Sequence, residues 1–321
     1  MKNISKKLIV TIALLVLPVL ASAKPYEGKK VLFIDSYHQG YAWSDGITAG
    51  VENALKETGA ELKIVRLDTK RNTDEAFKAQ AGRKAKAEID AFKPDVVVAA
   101  DDNAAQYVIV PFYKGGSLPF VFCGLNWDAS IYGLPTSNVT GMLEVTPIPQ
   151  LVDQLKPYAK GERIGFLGPD VETARKEAQN YKKVFGMQLT EYYAADYEDW
   201  KKGFKQLQQS VDILIIDSDG GLYNDHKDDM IAFAKANTTI PTGSTYDFMA
   251  HCALFTYAKV AEEQGFWATK AALNILGGTS PADIPVAQNE QGKLIINMQI
   301  AEAVGLNLPF EIIQSADQVI E

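Results

Sequence analysis

The sequence predicts an α/β fold of two doubly wound, parallel-sheet lobes joined by hinge crossovers. Three observations carry this prediction. Short apolar runs alternate with amphipathic helical patterns from Lys30 onward, and the alternation restarts at Ile148. The apolar runs are continuous in Val, Ala, Ile and Leu, which is typical of strands buried on both faces of a sheet. Polar, aromatic or glycine-rich loops directly follow these runs, and such loops form the ligand sites of α/β folds.

The first block of alternating patterns begins with a strand over 31–35. An amphipathic helix follows, with Ile47, Val51, Ala54 and Leu55 on one face. The other elements predicted in this block are a strand over 62–67, a helix over 77–92, a strand over 95–100, a helix over 103–113 and a strand over 119–123.

The second block repeats the same rhythm. Its predicted elements are a helix over 148–155, a strand over 163–167, a helix over 171–184, a strand over 187–194, a helix over 200–207, a strand over 211–217, a helix over 230–236 and a short strand over 240–242. Two such β-α-β blocks imply two Rossmann-like parallel sheets.

The remaining segment is too short to form a third block. It shows a long helical pattern over 257–276, a strand over 293–297 and a short helix over 300–304. We therefore expect the first lobe to span 24–140 and to be completed by about 257–321, with the second lobe at 141–256. The links between lobes are expected near 138–145 and 252–256, with one more in the tail.

The first 23 residues are predicted to be a cleaved secretory leader. Three lysines precede the apolar run 8–20, and Ala21-Ser22-Ala23 has the small residues of a cleavage site. The run is too short for a membrane anchor, and no cysteine directly follows it for lipid attachment. We expect cleavage after Ala23 and release into a bacterial periplasm, without stable membrane insertion.

The composition fits a soluble two-domain protein. The chain has 321 residues, of which 47% are hydrophobic, which is ample for two cores. Its formal net charge of −8 argues against nucleic acid or anionic lipid as partners and suits a freely diffusing monomer. Cys123 and Cys252 could form a disulfide in an oxidising compartment; buried free thiols are the alternative.

Four segments together are similar to a known family. They are 31–38 with Gly46-Ile47 downstream, 94–99, 119–122 and 138–141. Through them the chain resembles the ABC-transporter substrate-binding proteins of the tryptophan- and tyrosine-binding kind, from about residue 30 to about residue 310. The resemblance implies the type I periplasmic-binding-protein architecture, a small-molecule solute, a membrane permease of an ABC importer as partner, and no cofactor. It also makes 138–141 the crossover into the second lobe.

Six loops after the predicted strands are expected to converge on the ligand. They are 36–43, 101–103 and 124–127 in the first lobe, and 168–170, 217–221 and 243–247 in the second. The candidate ligand-binding residues are Ser36, Tyr37, His38, Tyr41, Trp43, Asp101, Asp102, Asn103, Asn126, Trp127, Asp217, Ser218, Asp219, Ser244, Tyr246 and Asp247.

The chemistry of these loops is acidic and aromatic. Counting Asp170, they hold six aspartates and no Lys or Arg. A strongly anionic ligand would normally meet an Arg fork, whereas an amine would meet carboxylates and ring faces. A single carboxylate could bind helix N-terminal amides. The pattern favours an amino acid, aromatic or otherwise, or a related amine.

Other interpretations use the same residues. A sugar could bind Asp and Asn through its hydroxyls and stack on Trp or Tyr. The aspartates, Asp102, Asp170 and Asp219 in particular, could instead cap helices, and the rings could pack on the sheet edge.

Catalysis is not expected from this sequence. The chain has no Gly-x-Ser-x-Gly, His-Glu-x-x-His or Cys-x-x-Cys motif, and its cysteines lack metal-ligand spacing. A third class of function, presenting the ligand to a membrane receptor kinase, would leave the same sequence pattern.

Overall fold

The computed structural model describes residues 24–218 and 226–321. The predicted leader and Asp219 lie outside the described residues. The first block of elements is β1 (Lys30–Asp35), α1 (Ala42–Leu55), β2 (Glu61–Arg66), α2 (Glu75–Phe92), β3 (Val96–Ala100), α3 (Asp101–Ala104) continuing as a π-helix (Ala105–Tyr113), β4 (Phe120–Asn126) and β5 (Val139–Glu144).

The second block repeats the alternation. Its elements are α4 (Ile148–Leu155), β6 (Ile164–Pro169), α5 (Glu172–Phe185), β7 (Leu189–Ala194), α6 (Tyr197–Ser210), β8 (Ile213–Ile216), α7 (Lys227–Asn237) and β9 (Thr242–Ser244). The last segment forms β10 (Phe255–Lys259), α8 (Ala261–Leu276), β11 (Ala287–Gln288), β12 (Gly292–Asn297), α9 (Met298–Ala303), α10 (Phe310–Gln314) and β13 (Gln318–Ile320).

The strands form two sheets, one in each lobe. The first has the order β11-β5-β4-β3-β1-β2, and the second has the order β13-β12-β10-β9-β8-β6-β7. All pairs are parallel except β10 with β12. The predicted class, two doubly wound and mostly parallel α/β lobes, is therefore confirmed.

Each sheet is covered on both faces, as the continuous apolar strands predict. In β1, Leu32 and Ile34 enter the core beneath α2 and the π-helix, while Val31 and Phe33 enter the core beneath α1 and α8. Side chains alternate because successive residues of a strand point to opposite faces. The second sheet repeats this arrangement, with α5 on one face and α6 on the other.

Three crossovers join the lobes. The chain passes from β5 to α4 through 145–147, from β10 to α8 at Val260, and from β11 to β12 through 289–291. The expected links at 138–145 and 252–256 lie slightly too early, because 139–144 and 255–259 are strands inside the two sheets. A hydrogen bond from the Val145 amide to Asn289 Oδ1, 2.7 Å, ties the first crossover to the third.

The tail divides between the lobes instead of returning to one. Helix α8 packs on α1, and β11 extends the first sheet, but β10, β12 and β13 belong to the second. The prediction that the tail completes the first lobe is therefore wrong for these strands. The helix predicted over 257–276 also begins later, because Tyr257–Lys259 continue a strand.

Two smaller sequence questions concern the cysteines and the membrane. Cys123 and Cys252 are both buried free thiols, one in each lobe. In the part of the chain that the structure covers, no helix has the length and apolar character needed to span a bilayer.

Candidate functional site

A cleft of about 1130 Å³ lies between the lobes. It opens at the carboxyl ends of β1 and β3, where the strand order of the first sheet reverses, and this is the expected position for a ligand. First-lobe residues lining it include Tyr37, Tyr41, Trp43, Lys70, Asp101 and Asn126; Glu144 and Lys259 lie at the crossovers; the second lobe adds Tyr246, Asp247, Phe248, Tyr257 and Lys293.

The aromatic loop between β1 and α1 is held in place by Asp35. This carboxylate is 1% exposed, and its Oδ1 accepts hydrogen bonds from the Tyr37 amide (2.9 Å) and the Ser44 hydroxyl (2.7 Å). Arg66 Nε lies 3.3 Å from the other oxygen. The two hydrogen bonds to Asp35 fix both ends of the loop, so the rings of Tyr37 and Tyr41 have a defined place.

Tyr37 and Tyr41 form one aromatic wall of the cleft. Their rings meet edge to face with centroids 5.4 Å apart. Lys70 Nζ lies over both rings, 5.2 Å from the Tyr37 centroid and 5.0 Å from that of Tyr41. Burial and the neighbouring Asp101 and Glu144 carboxylates raise the pKa of Tyr37, so its hydroxyl stays protonated.

Trp43 combines the two roles that the sequence left open. Its half-buried ring packs against the first-lobe core and also lines the cleft. The indole Nε1 donates a 2.9 Å hydrogen bond to Asp101 Oδ1. This bond orients the Asp101 carboxylate.

Asp101 is the most unusual residue of the cleft. It is 2% exposed, has a φ of 68°, and leaves Oδ2 without a hydrogen-bond partner among the described residues. Burial, together with the nearby Glu144 carboxylate, raises its pKa well above the ordinary range. A buried carboxylate oxygen without a donor is costly, which is typical of an atom that serves a ligand.

A buried ion pair lies where two crossovers begin. Glu144 ends β5, Lys259 ends β10, and the Lys259 ammonium donates a short hydrogen bond to the Glu144 carboxylate. Burial raises the pKa of Glu144, and Lys259 opposes that rise. Burial also acts against the charge of Lys259, but Glu144 and Glu177 outweigh it and raise the lysine pKa. The pair therefore joins the two lobes at the base of the cleft.

The second lobe brings aromatic and acidic groups to the other side. Tyr246 and Phe248 lie with ring centroids 5.4 Å apart, and Asp247 stands between them in the chain. Asp217, which does not line the cleft, follows β8 at the switch in strand order of this sheet and is 3% exposed. Burial and the Glu177 carboxylate raise its pKa to about 7.

Trp127, which the sequence assigned to the ligand wall, is not among the residues that line the cleft. Its ring packs on Tyr181 and Phe185 of α5, and its Nε1 donates to Glu177 Oε2 at 3.0 Å. Glu177 also accepts a short hydrogen bond from the Thr146 hydroxyl in the first crossover. Trp127 therefore fastens the first lobe to the second.

Several other candidates lie outside the cleft lining. Ser36 is fully buried and bridges the Ala100 carbonyl and the Ala104 amide. His38 Nδ1 lies 3.7 Å from Asp68, and Asn103 donates to Thr69. Ser244 is buried at the end of β9, and Ser218 follows Asp217.

Capping of helices was the alternative for three aspartates, and the structure describes two of them, Asp102 and Asp170. Asp102 accepts from Asn126 (2.6 Å) and Tyr132 (2.9 Å), so it joins three loops of the first lobe. Asp170 pairs with Arg175 on the exposed surface. Neither carboxylate caps a helix.

Sequence reasoning missed several charged residues of the site, among them Lys70, Glu144 and Lys259. The six predicted loops do lack Lys and Arg, but the cleft contains lysines because other segments also reach it. The signal for Glu144 and Lys259 was a charge within an otherwise apolar strand. Within residues 24–218 and 226–321, no cluster of His, Cys, Asp or Glu is arranged to hold a metal ion.

Solved structures of other proteins share this fold. The chain is similar to a ligand-free, open substrate-binding protein with adhesive properties from Clostridium difficile, with 19% identity, TM-score 0.70, and 91% of this chain and 99% of the other covered. An ABC domain in complex with L-Trp from Streptococcus pneumonia is 20% identical, with TM-score 0.57 and coverage of 92% and 100%. A periplasmic ribose ABC transporter from Conexibacter woesei is 14% identical, with TM-score 0.55 and coverage of 90% and 99%.

Sequence comparison identifies the family. The search of curated proteins finds no match. The model of the family described as "ABC transporter substrate binding protein" matches residues 42–320, which is nearly all of both lobes. With the two-lobed fold and its interlobe cleft, this match shows that the chain belongs to the ABC transporter substrate-binding protein family.

Proposed function

We propose that this protein is the periplasmic solute-binding component of an ABC importer and that its solute is an amino acid, with an aromatic one favoured, or a related amine. The observation that carries the choice of solute is Asp101 Oδ2, a buried carboxylate oxygen in the cleft with no hydrogen-bond partner among the described residues. A ligand ammonium supplies both the missing donor and the missing positive charge.

The surroundings of Asp101 support an amine with an apolar part. The rings of Tyr37, Tyr41, Trp43 and Tyr246 line the same cleft. An ammonium over such ring faces gains roughly 0.5–2 kcal/mol, and an apolar or aromatic side chain would be buried between them.

The raised pKa of Asp101 adds a testable feature. In the ligand-free protein the carboxyl group holds its proton to higher pH than usual. A bound ammonium favours the ionised form, so binding releases a proton, and affinity for an amine rises with pH until Asp101 is ionised. Calorimetry in two buffers of different ionisation enthalpy measures this release.

Capture would proceed by rotation of the lobes about the three crossovers. The segments 145–147, 260 and 289–291 are short and lie side by side, as in a hinge. Closure would bury the solute and present the closed surface to the permease. The leader pattern of residues 1–23 supports the periplasmic location.

Thermal-shift and calorimetric titration with four probes tests the proposed solute. L-tryptophan and tryptamine carry an amine, N-acetyl-L-tryptophan lacks its charge, and ribose represents sugars. A ligand that binds only the folded state raises the unfolding midpoint. We expect L-tryptophan or tryptamine to raise it and the other two to leave it unchanged. A shift with ribose alone would establish the sugar interpretation instead, in which Asp and Asn accept from hydroxyls.

The matched variant is Asp101→Asn. Asn tolerates the left-handed φ of this position, and its Oδ1 can still accept from Trp43. Loss of a charged hydrogen bond should weaken binding of the amine about tenfold or more. Asp153→Asn, which removes a carboxylate that is 70% exposed on the second lobe, is the control. Unchanged affinity in Asp101→Asn would exclude Asp101 as the ammonium site.

A further inference from the structure

Lys70 is a cleft residue with an uncommon setting. It lies in the loop after β2, is exposed, and lines the interlobe cleft. Its ammonium lies over the faces of both Tyr37 and Tyr41, with Nζ 5.2 Å and 5.0 Å from the ring centroids. Two ring faces therefore hold one charged group at the mouth of the cleft.

The charge of Lys70 is positioned but not neutralised. Among the described residues, no carboxylate oxygen lies within 4.0 Å of its Nζ. Lys259, by contrast, is paired with Glu144 at the base of the same cleft. Ring faces attract a cation without cancelling its charge, so Lys70 can still bind an anion, whereas Lys259 is already occupied.

The loop that holds Lys70 is fastened to the aromatic loop. The Asp68 amide donates to the Tyr37 carbonyl at 2.9 Å, and the Thr69 amide donates to the Ser36 carbonyl at 3.0 Å. The Asp68 carboxylate is held by Arg71 at 2.7 Å. The backbone next to Lys70 is thus fixed relative to Tyr37, and the two rings hold the ammonium above the aromatic loop.

We propose that Lys70 binds the carboxylate of the solute, so that the substrate class is a zwitterionic α-amino acid and not a decarboxylated amine. The inference rests on the proposed function, because it assigns the ligand ammonium to Asp101. Tyr37 lies near both groups. Lys70 Nζ lies over its ring, and the neighbouring Asp101 carboxylate helps to raise the pKa of its hydroxyl. Asp101, buried in the cleft, and Lys70, held over two rings that line the same cleft, match the two charges of an amino acid; Lys293 also lines the cleft, but it is not among the lysines that lie over a ring.

The test is a four-way comparison by isothermal titration calorimetry. Wild type and Lys70→Gln are each titrated with an amino acid and the amine that lacks its carboxylate. The pairs are L-tryptophan with tryptamine, L-tyrosine with tyramine, and L-leucine with isoamylamine; the pair with the tightest wild-type binding is carried forward. We expect wild type to prefer the amino acid by about tenfold or more, and Lys70→Gln to reduce that preference to within about twofold, with amine affinity unchanged.

Lys205→Gln is the matched control. Lys205 is also an exposed lysine over a ring, with Nζ 5.2 Å from the Phe233 centroid, but it lies on α6 outside the cleft. It should retain the wild-type preference. Circular dichroism and the unfolding midpoint of each variant establish that it is folded.

The other outcomes overturn the inference in distinguishable ways. If Lys70→Gln keeps the preference for the amino acid, Lys70 does not bind the carboxylate, and the proposed function stands. If the variant binds both members of the pair more tightly, Lys70 competes with the ligand ammonium, and only the assignment of Lys70 fails. If no member of any pair binds wild type, the proposed solute class fails and this inference fails with it.

Discussion

The buried carboxyl group of Asp217 should make the stability of the protein depend on pH. Its pKa is raised from the ordinary 3.8 to about 7, by burial first and by Glu177 second, while Lys259 and the Ser218 amide oppose the rise. A raised pKa means that the folded protein holds the proton more tightly than the unfolded chain. The resulting stabilisation is complete below the unfolded pKa and is lost as pH rises through the folded pKa.

The expected magnitude follows from these two pKa values. Between about pH 5 and about pH 7, Asp217 is ionised in the unfolded chain and protonated in the folded protein. Each pH unit then lowers the free energy of unfolding by about 1.4 kcal/mol, so the loss over this range is about 3 kcal/mol. Asp217→Asn removes the titration, so the variant should lose about 3 kcal/mol less than wild type between these pH values.

Urea unfolding followed by tryptophan fluorescence, at pH 5 and pH 8, measures this difference. Asp101 and Glu144 also have raised pKa values, so the free energy of unfolding falls with pH in the variant as well as in wild type. The quantity compared is therefore the loss of unfolding free energy in the variant minus the loss in wild type. Asp153→Asn, at an exposed site, should behave as wild type. If Asp217→Asn loses as much stability as wild type between the two pH values, Asp217 is not buried and protonated in the folded protein.

Two further predictions concern stability. Gly50→Ala should destabilise the fold by about 1–3 kcal/mol, because the new Cβ would lie 2.1 Å from the Glu262 carbonyl oxygen where α1 packs on α8. Glu52→Ala, at an exposed position of the same helix, is the control. A urea midpoint of Gly50→Ala close to that of wild type would contradict the close contact. Lys259→Gln should lower the free energy of unfolding by about 3–5 kcal/mol, because Glu144 is left buried without its partner. Adding Glu144→Gln should restore most of this loss in the same urea assay. No recovery in the double variant would mean that the two residues are not coupled.

The first-lobe strands were predictable because their sequences are apolar without interruption. In β1 and β3, Val31–Ile34 and Val96–Ala100 are completely or almost completely buried, and the loops at their carboxyl ends supply Tyr37, Trp43 and Asp101 to the cleft. Hydrophobic periodicity and the rule for ligand position in parallel sheets suffice for this much of the site.

The second half of the hinge was not predictable by the same rules. Tyr257, Val260 and Ala261 have spacing that continues into the helical pattern of α8, so periodicity alone merges strand β10 with the helix. Lys259 was therefore predicted to lie in the helix, whereas it is the last residue of strand β10. Only pairing with β9 and β12, which is a non-local interaction, defines this strand.

The partners of individual side chains were also beyond the sequence. Trp127 and Trp43 both belong to aromatic-rich loops after strands, yet one packs on α5 and the other lines the cleft. Trp127 also has a φ of 61°, in the left-handed region that residues other than glycine rarely adopt. The contacts of Trp127 with α5 and Glu177 are made between lobes, and composition and spacing carry no signal for them.

The charges of the cleft connect stability with binding. Asp101 is buried without a full set of partners and has a raised pKa, so the stability of the ligand-free protein falls as pH rises above the ordinary range of an aspartate. Asp101→Asn should therefore raise the unfolding midpoint of the ligand-free protein at pH 8 and, at the same time, reduce the further rise that an amine ligand produces. A neutral sugar brings no positive charge to Asp101, so it could stabilise the protein only through hydrogen bonds and stacking. A variant that is less stable than wild type without ligand, and that keeps the full ligand-induced rise, would show that Asp101 serves the fold and not the solute.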